Sequence, residues 1–112
     1  MIDLNLIAKE CDYFSHLREK NGAFQDDDLL KHCSGEVVEA VESRIIFNTY
    51  MKDKTTTPEE KKVAKDDFAN ELMDILYCVL VQCSRSEIDP EKALEKNIDK
   101  NRKRALGQGD KK

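Results

Sequence analysis

Four residues near the middle of the chain, Thr57-Pro58-Glu59-Glu60, limit what it can fold into more than any others. A threonine hydroxyl before the first turn, a proline at the first helical position and a glutamate at the third make a capping box, which fixes a helix start. Apolar residues then recur at helical spacing through Phe68, Leu72, Ile75, Val79 and Leu80, so this helix runs to about residue 83 or 84. Asp89-Pro90-Glu91 repeats the start signal for a further helix reaching about Ala105. Upstream, a first helix over residues 3–20 carries Leu4, Ile7, Ala8, Cys11, Phe14 and Leu17 as its stripe and stops at Asn21-Gly22. Residues 26–28 offer caps for a second, which carries Leu29, Leu30, Cys33, Val37, Ala40 and Val41 on to Tyr50. A polar connection, 51–57, completes the series. The expected fold class is all-α, a four-helix bundle.

Composition agrees with that class. In 112 residues, 38% are charged and 39% apolar, with four Gly, two Pro and no Trp. Such a chain makes one modest domain burying about 65% of its unfolded surface. We expect that domain over 1–106 and a flexible tail over 107–112. The third helix leaves little polar face between Ile75 and Val81, so part of it is expected to pack on another subunit, giving a homodimer or homotetramer. Gly35, inside the second helix, costs about 1 kcal/mol relative to Ala and hints at close approach by a helix or ligand.

Charge is uneven. Residues 96–112 hold seven Lys or Arg against two acids, so the net charge of −4 divides into an acidic body and a basic end. An acidic body argues against nucleic-acid binding, and a basic helix facing it suits an anionic ligand gripped from two sides. No apolar run is long enough for a membrane span, and Cys11, Cys33, Cys78 and Cys83 show no zinc spacing. They read as reduced core thiols, so a soluble, cytoplasmic protein is expected.

Two acidic pairs carry the chemistry. Glu36 and Glu39 lie on the same side of a helical wheel as Ala40, Ser43, Ile46 and Phe47, inside an apolar stripe. Glu71 and Asp74 flank Ile75 and Cys78 on the third helix. One such pair in so charged a chain means little, since a solvated face explains it. Two pairs, on two helices and each on an apolar stripe, aim at the space between them. Uncompensated carboxylates there cost several kcal/mol each. Four oxygen ligands without His or Cys suit a hard ion, Mg²⁺ with Mn²⁺ as a substitute. His32 lies one turn before Glu36 on the same face, where helix packing is the commoner role.

With both pairs placed, the sequence resembles the MazG-like, all-α nucleoside triphosphate pyrophosphohydrolase family. The matching stretches are Gly35 to Glu42, Glu71 to Leu76, and Ile88 to Leu94 continuing through Asn101-Arg102-Lys103-Arg104. The resemblance implies a MazG-type bundle that hydrolyses a (deoxy)nucleoside triphosphate to the monophosphate and pyrophosphate, in nucleotide-pool house-cleaning. It implies that Glu36, Glu39, Glu71 and Asp74 hold Mg²⁺, and that one of them or Glu42 takes a proton from water. Phosphate contacts are expected from Lys96, Asn97, Lys100, Asn101 and Arg104, which share or flank one face of the last helix. Tyr13, Phe14 and His16, with Phe47 or Tyr77, are the candidates for stacking on a base, although core packing is the commoner role for each. Relatives carry other residues at Val38, Asn97 and Cys78, which bears on substrate identity.

Three alternatives stand beside this reading. The chain is a helical interaction module whose acidic pairs make salt bridges between subunits. It is a di-iron carboxylate bundle, which the absence of an ExxH pair disfavours. It acts on phosphoribosyl-ATP, since those pyrophosphohydrolases share the bundle and the acidic motifs. The length of the 44–57 connection and the charged last helix favour the MazG-like group.

Overall fold

The computed structural model describes residues 2–20 and 29–107. Four helices follow in order: α1, Leu4–Lys20; α2, Leu29–Lys52; α3, Pro58–Arg85; and α4, Pro90–Ala105. All described regular structure is helical, as expected. The expected stop at Asn21-Gly22, the caps at 26–28 and the tail beyond Gly107 lie outside the described residues.

The boundary at residue 57 forms as its chemistry dictates. The Thr57 hydroxyl accepts from the Glu60 backbone N–H at 3.1 Å, and the Glu60 carboxylate accepts from the Thr57 N–H at 3.0 Å. Asp89 caps α4 with a single bond, accepting from the Lys92 N–H at 3.1 Å. One expectation shifts here. Helix α2 continues to Lys52, because Ile45 through Met51 keep helical spacing and Thr49 bonds back to the Ile45 carbonyl at 2.8 Å. The link to α3 is therefore short, and the long 44–57 connection does not exist.

Helices α2 and α3 pack antiparallel, with Phe47 and Phe68 5.7 Å apart between ring centroids near the turn and Cys33 beside Cys78 at the open end. Helix α1 crosses the C-terminal half of α3. Ser15, fully buried, donates to the Tyr77 hydroxyl at 3.1 Å, and that hydroxyl donates to the Cys11 carbonyl at 3.1 Å. Arg85, with 9% of its side chain exposed, holds Asp12 through Nε at 2.8 Å and Glu19 through Nη1. Ser84 adds a bond to Asp12 at 2.9 Å. This clasp turns Ala8, Cys11 and Ser15 inward and leaves Phe14 and Leu17 open, so the α1 stripe is rotated from the expected one.

Helix α4 is held by its first turn. The Leu4 N–H donates to Glu91 at 3.1 Å, and Leu4, Leu80, Cys83, Pro90 and Ala93 line a small apolar cleft there. No α4 residue is fully buried. The radius of gyration is 17.5 Å, against roughly 13 Å for a compact domain of this size. Among the described residues the buried apolar set is small: Ala8, Leu29, Ala40, Ala64, Cys78, Leu80 and Val81. Among the described residues, no helix is long and apolar enough to cross a membrane.

Candidate active site

The antiparallel register carries Glu36 of α2 to the level of Glu71 and Asp74 on α3. One oxygen from each of the three lies within 4.8 Å of the others. Ligand oxygens on opposite sides of a Mg²⁺ ion bound at ~2.1 Å stand about 4.2 Å apart, so little closure is needed. The Glu36 side chain is 16% exposed, and Oε2 of Glu36 and Oε2 of Glu71 are buried without a hydrogen-bond partner. Orphaned buried carboxylate oxygens are costly unless a donor or a cation meets them, so these two oxygens are able to act as cation ligands.

The electrostatics agree. Burial pushes the Glu36 carboxyl above the ordinary carboxylate range, the charges of Glu39 and Asp74 push the same way, and His32 pulls back part of the shift. Glu71 is raised by burial first, then by Glu39 and Asp74, with a smaller push from Asp67. His32 Nε2 lies 3.2 Å from Glu36 Oε1, so this histidine packs against the site from its own helix. Among the described residues, no Lys or Arg pairs with these carboxylates. An all-oxygen cluster lacking a resident cation fits a hard divalent ion.

Glu39 sits differently from its expected partners. It is exposed and stands at the rim, close enough to Glu36 and Glu71 to hydrogen-bond either, but outside the cluster of three. It opens onto a hollow of about 300 Å³ that it lines with Glu42, Ser43, Ile46, Asp67, Asn70 and Glu71. Asp67 and Asn70 were missed in the sequence. Asp67 stands four residues before Glu71, one turn along the same face, and following that face one turn back from the acidic pair would have found it.

The remaining candidates are not gathered here. Lys96, Asn97 and Lys100 line a separate open hollow of about 480 Å³ on α4, which shares no residue with the acidic one. The Asn101 amide donates to the Asn97 carbonyl at 2.9 Å and to its Oδ1 at 2.8 Å, and Arg104 is exposed on the same helix. The proposed stacking rings fall into four settings. Phe47 packs on Phe68, Tyr13 meets Phe14 edge-on at 5.6 Å, and His16 lies between Asp12 at 3.2 Å and Glu19 at 3.6 Å. Tyr77 is spent on α1. No shared base pocket forms from these residues, because each ring is committed to its own or the adjacent helix. Gly35 likewise meets no neighbour: a Cβ placed there would have nothing within 4 Å, so the expected close approach is absent in the single chain.

Comparison with known proteins supplies the family. A profile of phosphoribosyl-ATP pyrophosphohydrolases matches residues 8–101, which takes in most of α1, both acidic pairs and most of α4. The chain belongs to the phosphoribosyl-ATP pyrophosphohydrolase family. That family is one of the MazG-like all-helical pyrophosphohydrolases, so the broader resemblance holds while MazG itself is not the match. The 44–57 connection had argued for the MazG-like group, and its absence removes that argument. No curated protein and no solved structure matched the chain.

Proposed function

We propose that the chain is a divalent-cation-dependent pyrophosphohydrolase that cleaves the α–β phosphoric anhydride of a nucleotide, giving the monophosphate and pyrophosphate. The observation that carries this reading is the pair of buried, partnerless oxygens on Glu36 and Glu71, in one cluster with Asp74. Those three residues would hold Mg²⁺ or Mn²⁺, with Glu39 at the rim of the site. The bound ion supplies Lewis-acid polarisation and a lowered pKa for the attacking water. Glu42, in the hollow beside Glu39 and Glu71, takes the proton released as the water oxygen bonds to the α-phosphorus. The bridging oxygen leaves with pyrophosphate. Lys96, Asn97, Lys100, Asn101 and Arg104 offer a second anion-binding surface of fork-shaped and point-charge donors.

The family match and the separation of acidic and basic hollows favour phosphoribosyl-ATP, whose phosphates lie at both ends, as the substrate. A second reading is house-cleaning of free (deoxy)nucleoside triphosphates. It is favoured by the acidic hollow itself, whose lining includes no ring to select a base. Pyrophosphate release should be measured from phosphoribosyl-ATP and from natural and damaged nucleoside triphosphates, with Mg²⁺ and with Mn²⁺. Turnover of phosphoribosyl-ATP alone supports the first reading, and turnover across the triphosphates supports the second. No turnover, together with no Mg²⁺ binding by calorimetry, overturns both in favour of an inactive helical module.

A further inference from the structure

His32 and Glu36 stand one turn apart on the same face of α2. A helical side chain leans back over the turn before it, so the Glu36 carboxylate reaches toward the imidazole. His32 Nε2 lies 3.2 Å from Glu36 Oε1, within donating distance. The two oxygens of Glu36 therefore have different surroundings: Oε1 faces the imidazole, and Oε2 is buried and meets no donor. His32 itself is not among the groups that converge within 4.8 Å; those are Glu36, Glu71 and Asp74. It stands behind one ligand rather than beside the other two. The turn before Glu71 offers nothing comparable, because the residue there is Asp67, an acid that donates no hydrogen bond when ionised.

We infer that His32 is a positioning residue for Glu36: by holding Oε1 it leaves Oε2 alone to face the seam, makes Glu36 a one-oxygen ligand, and so sets the site for Mg²⁺ against Ca²⁺. The inference rests on the cation site proposed above and adds the residue that sets its selectivity. Mg²⁺ demands near-octahedral geometry with oxygens at about 2.1 Å, whereas Ca²⁺ accepts more oxygens at about 2.3–2.6 Å and readily takes both oxygens of one carboxylate. With His32 in place, only one oxygen of Glu36 is left for an ion. Without it, the side chain is free to turn both oxygens to the seam, which suits the larger ion, and it loses the ordering that favours the smaller one. Hydrogen bonds to ligating carboxylates from outside the ligand set orient them in this way. The His32 side chain is 32% exposed, so its replacement opens no cavity in the core.

Calorimetric titrations of Mg²⁺ and of Ca²⁺ into the full wild-type chain and into His32→Leu, His32→Asn and His32→Gln, in one nucleotide-free buffer at one pH, test it. His32→Gln keeps an N–H near the position of Nε2, whereas His32→Leu offers no donor and His32→Asn falls short of Oε1. Mg²⁺ affinity should fall roughly 10- to 100-fold in His32→Leu and His32→Asn and stay within about threefold of wild type in His32→Gln. Ca²⁺ affinity should fall less in the first two, so their preference for Mg²⁺ over Ca²⁺ shrinks. A histidine that only packs the helix would alter unfolding midpoints in chelator and leave that preference unchanged. Variants that bind both ions as the wild type does overturn this inference alone. So does a His32→Gln that binds Mg²⁺ no better than His32→Leu, or a His32→Leu that binds it more tightly than the wild type. A wild type that binds neither ion overturns the cation site and this inference with it.

Discussion

Glu36 and Glu71 each turn one carboxylate oxygen into the seam between α2 and α3, and neither oxygen meets a hydrogen-bond donor. Both groups are raised above the ordinary carboxylate range, by burial first and then by their acidic neighbours. In the window between the ordinary and the raised values, the folded chain holds more protons than the unfolded chain. Its stability therefore falls as pH rises through that window. Urea midpoints measured in chelator should decline as the pH climbs above the ordinary carboxylate range, and Mg²⁺ should reverse much of the decline. A metal-free midpoint that rises steadily across that window would contradict this.

Glu71→Gln and Glu36→Gln keep the shape of the cluster and remove one charge each. Each should cost about a hundredfold or more in divalent-cation affinity and in turnover. In chelator, the same variants should be at least as stable as the parent, because the repulsion they relieve has no compensation there. Helix content by circular dichroism should stay unchanged.

Arg85→Met separates the α1 clasp from the site. The change leaves the half-buried Asp12 and Glu19 without their cation, at a cost of up to roughly 3–5 kcal/mol. Denaturant unfolding measures it, and a loss below about 1 kcal/mol would place the pair among weak surface contacts.

Gly35→Ala tests the glycine that the sequence left unexplained. With nothing within 4 Å of the added carbon, helix propensity alone applies and the variant should gain about 1 kcal/mol in stability. Unchanged turnover would show that nothing approaches this position in the working enzyme. Thr57→Ala should lose about 1 kcal/mol by removing the cap and freeing Glu60, with no effect on cation binding.

Much of this molecule is legible in its sequence because the decisive signals are local. The capping box of α3, the N-cap of α4, the four helices and the meeting of Glu36 with Glu71 and Asp74 all follow from spacings of three or four residues and from one antiparallel turn. What the sequence hid depends on distant partners. Asp12, Glu19 and Arg85 carry no pattern that pairs them, and that pairing is what rotates α1 so that Ser15 is buried while Phe14 stands open. The α2 helix ends at Lys52, two residues past the expected Tyr50, because no proline or glycine directly follows Tyr50 to stop it. The settings of the rings were hidden for the same reason as that of α1: a ring's neighbours are set by packing, and no spacing reveals them.

Calorimetric titration of Mg²⁺ into the purified wild-type chain and into Glu71→Gln, without nucleotide, most directly tests whether this cluster is built for a cation. The account predicts saturable binding to the wild type, accompanied by proton release from the raised carboxyls, and weakening of about a hundredfold or more in the variant. Equal heats for the two proteins, or no binding to either, would contradict it.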